Sequence, residues 1–206
     1  ERVIVASSHS VYGAHPDNPI PISEDWPLRG NDALHYSRTK CIIERYLDGF
    51  EERYPKTRLI RLRPCTVWGT NVPPNRASLY LSSVALAAKR YDAPIQLLDE
   101  SDVARAFITA AHHPDAVGAY NVAPLDWIRP SELRSLLRIR ALLLPVPAIR
   151  LVNQVMWRLK LTEMSPAWLV LARYPIVMSS ERIRKELGWE PQSTTVQTAR
   201  KTLEDL

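Results

Sequence analysis

A tyrosine and a lysine one helical turn apart, in Tyr36-Ser37-Arg38-Thr39-Lys40, are the residues of this chain best suited to move a proton. Positions four apart share a helix face. Ile43, Leu47 and Phe50 continue the line, so the pattern predicts one inward-facing stripe carrying both polar heads and the core contacts. An ammonium about 5 Å from a phenol, at an effective dielectric of about 20, favours phenolate by roughly 3 kcal/mol. A Tyr-x-x-x-Lys match alone arises by chance in about one such chain in four, so the elements around it decide its meaning.

Those elements read as alternating strands and helices. Arg2-Val3-Ile4-Val5-Ala6 is an almost continuous apolar run, which predicts a strand buried on both faces, and it stops at Ser7-Ser8-His9-Ser10. In open parallel sheets the ligand crevice lies at the carboxyl ends of the strands, where Ser8 and Ser10 present hydroxyls. A polar loop through Asp17, Pro19, Pro21 and Glu24 leads to the Tyr36 helix, with Asn31 or Asp32 as its cap. Arg58 to Arg63 reads as the next strand, ending at Pro64. After a Pro-rich loop from Asn71 to Asn75, the spacing predicts a helix over Leu79 to Lys89, a strand over Ile95 to Leu98 and a helix over Ser101 to His112. A strand over Ala119 to Val122 and a helix starting at Pro130 follow. The terminal helix is capped by Ser179 or Ser180, ended by Gly188 and kept from resuming by Pro191.

The segment Leu136 to Leu161 is of a different kind, with Arg138, Arg140, Arg150, Arg158 and Lys160 set among leucines. It predicts a cap helix with its arginines in water; peripheral membrane contact and a hydrophobic substrate wall are the alternatives.

Composition sets the bounds. With 46% hydrophobic residues, 206 residues can bury a sizeable core as one domain or a domain plus a cap. The six glycines, at 13, 30, 49, 69, 118 and 188, are too scattered to form a pyrophosphate-cradling turn. With Glu1 opening directly into a strand, the chain reads as truncated, its phosphate-binding half lying elsewhere. Cys41 and Cys65 show no metal-ligand spacing, Cys65 has no partnered base nearby, and a reducing cytoplasm is the expected location. The net charge of +5 is scattered rather than clustered with aromatics, which argues against nucleic acid. No apolar run reaches the roughly 18 residues of a membrane span, so no transmembrane segment is expected.

Ser7-Ser8-His9-Ser10-Val11-Tyr12-Gly13, Ile22-Ser23-Glu24-Asp25, Pro27-Leu28, the Tyr36 to Lys40 stretch with Glu44, and Arg63-Pro64-Cys65-Thr66-Val67-Trp68-Gly69 together resemble the extended short-chain dehydrogenase/reductases, the NAD-dependent epimerase/dehydratase group. Asp102-Val103-Ala104-Arg105-Ala106, Gly118-Ala119-Tyr120-Asn121-Val122 and Leu187-Gly188-Trp189-Glu190-Pro191 are similar to three further landmarks of that group in the same order. The resemblance implies an α/β fold: the C-terminal part of a Rossmann-type doubly wound parallel sheet with a smaller mixed α/β substrate-binding cap. Residues 1–70 would be the second half of the catalytic domain, and 71–206 mainly cap, with 95–123 returning partly to the core.

It also implies NAD or NADP as cofactor and no metal. Tyr36 would exchange the proton at the substrate oxygen, Lys40 would favour phenolate and bond the cofactor ribose, and Ser8, five positions before Gly13, would bond the same oxygen. Ala6, Ser7, Pro64 and Val67 would join Tyr36 and Lys40 in lining the cofactor, Val67 through its backbone. Ser10, Asn71 and Arg76 would face substrate. His9 and Ser10 stand where sugar-nucleotide 4,6-dehydratases carry an Asp-Glu pair, which disfavours dehydration. The implied substrate is a small secondary alcohol or ketone, foremost a nucleotide sugar. A sterol, acyl or isoprenoid ketone comes second, and a non-catalytic nucleotide-binding subunit third. A homodimer or larger assembly is implied too, although Arg45, Asp48, Glu51 and Glu52 make the helix's outer face polar. The chain alone is expected to be inactive and to bind dinucleotide weakly.

Overall fold

The computed structural model describes residues 1–71, 84–162 and 165–204. Three strands, β1 (Arg2–Ala6), β2 (Arg58–Pro64) and β6 (Gly118–Val122), form a parallel sheet in the order β1-β2-β6, with Arg2 opposite Arg58 and Ile60 opposite Gly118. Parallel neighbours need crossovers. Helix α1 (His35–Arg53) connects β1 to β2, and helix α2 (Glu100–His112) precedes β6. Ile60, Leu62, Tyr120 and Val122 meet Ala106 and Ala110 of α2 in the main core. The central strand β2 is buried along most of its length. At the sheet edge, β1 is not buried on both faces as its apolar run predicts: its side chains are half-buried or exposed, Val3 being 38% exposed.

Two smaller parallel pairs complete the architecture: β3 (Thr66–Trp68) with β5 (Leu97–Asp99), and β4 (Val84–Ala88) with β7 (Arg140–Leu144). The helix expected over Leu79 to Lys89 is therefore a strand over its described part, and the remainder lies outside the described residues. Ile95, expected in β5, instead bridges Ile128. The expected single cap helix from Leu136 to Leu161 is also corrected. It divides into the end of α3 (Pro130–Leu136), strand β7 and helix α4 (Val146–Arg158), because Pro145 separates two segments whose leucines suit either period. A short 3₁₀ turn (Pro166–Trp168) and α5 (Leu169–Arg173) follow.

Helix α6 (Glu181–Leu187) ends at Gly188, whose φ of 67° is the left-handed conformation glycine adopts without penalty. Ser180 occupies its cap position without a side-chain bond, while Ser179 Oγ accepts from the Glu181 amide at 3.2 Å. It is not the last helix. Helix α7 (Thr195–Glu204) follows, with Thr195, Thr198 and Thr202 buried on one face. Two exposed basic residues, Arg138 (φ 54°) and Lys160 (φ 57°), take the left-handed conformation after α3 and α4, a choice that costs about 1 kcal/mol each relative to glycine.

Candidate active site

The site gathers where β1 ends. Ser8 is the N-cap of a short 3₁₀ turn (His9–Val11), and its Oγ accepts from the Ser10 amide at 3.2 Å and the Ser10 hydroxyl at 3.0 Å. Both acceptor bonds leave the Ser8 proton available for donation, and they polarise it. His9 Nδ1 lies 3.5 Å from Ser8 Oγ. Ser8 and Ser10, at 4% and 6% exposed, are both buried at this turn; the Ser10 hydroxyl, expected to face substrate, bonds Ser8, and the Ser10 carbonyl accepts from Ser37 Oγ at 2.7 Å.

Helix α1 is set against this turn by Ser37, Lys40, Cys41 and Glu44. Ser37 Oγ also accepts from the Asn31 amide at 2.8 Å, Lys40 Nζ donates to the Ala6 carbonyl at 2.7 Å, and Cys41 Sγ to the Val11 carbonyl at 3.3 Å. The buried stripe is thus Ser37, Cys41, Glu44 and Leu47: Leu47 is buried as expected, while Ser37, Cys41 and Glu44 replace Tyr36, Lys40 and Ile43, each one position on. Nor is Asn31 or Asp32 the cap: the helix starts at His35 after Leu34, which has no side-chain cap bond, and Asn31 Oδ1 accepts from Ala14 N instead. The one-position shift brings Tyr36 to the rim, 44% exposed, with Lys40 Nζ 5.7 Å from its ring centroid. Trp168 stacks on the same ring at 6.5 Å between centroids and 26° between planes.

Ser7, expected to line the cofactor, turns its hydroxyl inward to Glu44 Oε1 at 2.6 Å. Glu44 is fully buried and also receives Arg63 Nε at 2.8 Å and Arg61 at 3.2 Å. Burial alone would raise the Glu44 carboxyl, but the bonds and charge of Arg63, with help from Ser7 and Arg61, hold it below the usual carboxylate range. Arg63 continues to Tyr12 Oη at 3.0 Å, which donates to Asn121 Oδ1 at 2.7 Å; Glu24 Oε1 accepts from the Asn121 amide at 2.8 Å. Burial pushes the Tyr12 phenol up to about 12, so it stays a neutral link.

Sequence reasoning passed over this network. Its signal was two arginines of like parity, Arg61 and Arg63, in an otherwise apolar strand, which require a buried carboxylate. Pro64 ends β2, and Val67 lies in β3 opposite Leu98. Asn71, expected at substrate, gives its amide to Glu100 Oε1 at 2.9 Å, and Arg76 lies outside the described residues. Asp99 and Asp102 serve locally: Asp99 caps α2 through the Ser101 amide at 2.8 Å and meets Lys201 at 2.8 Å, while Asp102 accepts from the Gln192 amide at 3.0 Å. Burial raises the thiols of both Cys65 and Cys41, which leaves them poor nucleophiles. Among the described residues no cluster of His, Cys, Asp or Glu could hold a metal ion.

His9 carries a pH dependence. Burial pushes its imidazole down to about 4 despite a hydrogen bond to the Pro64 backbone, which can only be the carbonyl. Below about pH 6.5 the unfolded chain takes up a proton that the folded chain refuses until about pH 4. Stability from this source is therefore complete above about 6.5 and declines as pH falls towards 4. Thermal midpoints across that range are expected to fall more steeply for the native chain than for His9→Gln; parallel profiles would remove His9 as the cause.

A family model for the NAD dependent epimerase/dehydratase family matches residues 1–123. The chain belongs to that family. The uncharacterized protein Rv0501 of Mycobacterium tuberculosis is 26% identical over 198 residues, which cover 95% of this chain and 52% of the relative, so the chain spans about half the length of the curated relatives it matches. Among solved structures, MoeE5 in complex with UDP-glucuronic acid and NAD superposes with a TM-score of 0.73 at 20% identity, covering 100% of this chain and 64% of that one. RMD from Pseudomonas aeruginosa complexed with NADPH gives 0.71 at 19%, covering 99% and 65%. At these identities the likeness is one of fold: a Rossmann-like parallel sheet with helices, present in part.

Proposed function

We propose that this chain is the substrate-side portion of a cytoplasmic NAD(P)-dependent oxidoreductase acting at a secondary alcohol or ketone carbon of a nucleotide sugar. Residues 1–70 and part of 95–123 serve the catalytic core, and the rest of 71–206 serves mainly as cap. The observation that carries this reading is the placement of Lys40: its ammonium is tied to the Ala6 carbonyl at the end of β1 and stands 5.7 Å from the ring of an exposed Tyr36. One of its three donors is used at Ala6, leaving others for a ribose hydroxyl. The residues fit the nicotinamide-ribose end of a dinucleotide, which Pro64 and Val67 would help to hold, and do not supply a Gly-rich pyrophosphate turn. When bound, the nicotinamide supplies or accepts a hydride.

The chain's own residues handle the proton. Tyr36 Oη exchanges it with the substrate oxygen, the Lys40 charge favours phenolate, and the Ser8 hydroxyl, polarised by Ser10, bonds the same oxygen and fixes the reacting carbon. The sugar-nucleotide class is supported by fold relatives such as MoeE5, whose complex holds UDP-glucuronic acid. Exposed leucines between 142 and 161 favour a second reading, a lipophilic ketone.

Both classes should be presented, with NADH and NADPH, to a protein joining this chain to a dinucleotide-binding half. Coenzyme oxidation with nucleoside-diphosphate keto sugars, whose carbonyl carbon takes the hydride, is the expected result. Turnover confined to sterol, acyl or isoprenoid ketones would replace the first reading by the second. No turnover, with stable copurification in a larger assembly, would make the chain a structural subunit.

A further inference from the structure

The proposed nucleotide-sugar reaction leaves unused the outer face of α4 and the residues just after it. We propose that this face docks peripherally on an anionic lipid bilayer. Among the described residues, eight of the eighteen exposed large apolar side chains fall between 136 and 161, so exposure is concentrated there rather than scattered singly over the surface. Within α4, Ile149 is buried, and Val152 and Met156, on the same side, are half-buried. The opposite side presents Leu151 (66% exposed), Val155 and Trp157 with Arg150 and Arg158. Leu159 and Leu161 extend it, at 63% and 68% exposed.

Charge identifies the occupant. Between 136 and 161 stand four arginines and one lysine without a single Asp or Glu, so this stretch alone equals the chain's net charge of +5 and the remainder is balanced. All five cations are exposed, and none forms an ion pair among the described residues. Arg138 and Lys160 also stand in left-handed positions that glycine would occupy without strain. A bilayer answers every part of this surface. Its headgroups meet the arginines and the indole edge of Trp157, and its acyl boundary takes the leucines. With 13 residues, α4 is about 20 Å long, and no helix of the described residues is long and apolar enough to cross a membrane, so the helix lies in the interface plane.

Vesicle flotation of the 206-residue chain tests this. Binding to mixed phosphatidylglycerol and phosphatidylcholine vesicles is expected to exceed binding to phosphatidylcholine alone by about tenfold and to weaken with salt. Leu151→Glu with Val155→Glu should abolish it, and Arg150→Gln with Arg158→Gln should reduce it severalfold. Leu125→Glu, at an exposed site elsewhere, should leave it unchanged. Circular dichroism checks that each variant is folded; the arginine pair, at the surface, serves if the Leu151 and Val155 pair is not. Equal partition onto both vesicle types, no partition, or unaltered binding by folded variants overturns the proposal. So does a smaller particle by size exclusion for Leu151→Glu, which would assign the face to a second copy of the chain.

Discussion

Replacing Tyr36 by phenylalanine is expected to lower turnover by about 10²- to 10⁴-fold, the range of a lost general acid or base. The substitution removes one oxygen from a ring that is already 44% exposed and leaves the ring free to stack on Trp168, so neither fold nor substrate affinity has reason to change. A fall in kcat with KM preserved is therefore the expected signature, measured as coenzyme oxidation by a protein that joins this chain to a dinucleotide-binding half. Lys40→Met should cost more than the charge alone, because it also frees the Ala6 carbonyl, bonded at 2.7 Å. Turnover within a factor of about two of the native value in Tyr36→Phe would remove this phenol from the chemistry.

The second large effect is on stability. Glu44→Gln keeps the side chain's shape but leaves Arg61 and Arg63 facing a neutral amide in the interior, and breaking a buried pair in this way costs about 3–5 kcal/mol. For a chain of this size the thermal midpoint should drop by roughly 10 °C. Arg61 retains Asp48 at 2.5 Å and also meets Glu51, so the orphaned charge is chiefly that of Arg63. Glu44→Leu combined with Arg63→Met, which removes both charges, should cost less than the two single losses added together.

The pH dependence has a definite sign. Because the folded carboxyl of Glu44 sits below its ordinary value, its contribution is full above the usual carboxylate pKa and is lost as pH falls through the depressed one. The native chain should lose this increment on acidification and Glu44→Gln should not. Chemical denaturation at neutral and acid pH measures both; a difference below about 1 kcal/mol would mean that the network is spent on geometry rather than stability.

Strands β1, β2 and β6 and helix α2 were legible because their patterns are local: short apolar runs ended by polar residues, and a helical period begun by acidic residues. The phase of α1 was not. Its buried stripe holds Ser37, Cys41 and Glu44, residue types that read as surface until their partners on the serine turn and on β2 are known. Strand β7 escaped because its pairing with β4 is distant in sequence and Leu142-Leu143-Leu144 suits either period. Helix α7 escaped because threonine disfavours helices, yet Thr195, Thr198 and Thr202 pack inward along it. At the site, the meeting of Lys40 with the end of β1 follows from the parallel unit, whereas Trp168 reaches Tyr36 only through tertiary packing.

The edge position of β1 has a consequence for handling the chain. One flank of its backbone pairs with β2, and among the described residues no strand pairs with the other, which keeps its donors and acceptors for an extended segment. Such a border templates growth of the sheet: a cognate strand laid along it would enlarge the fold, and a foreign one would seed aggregates.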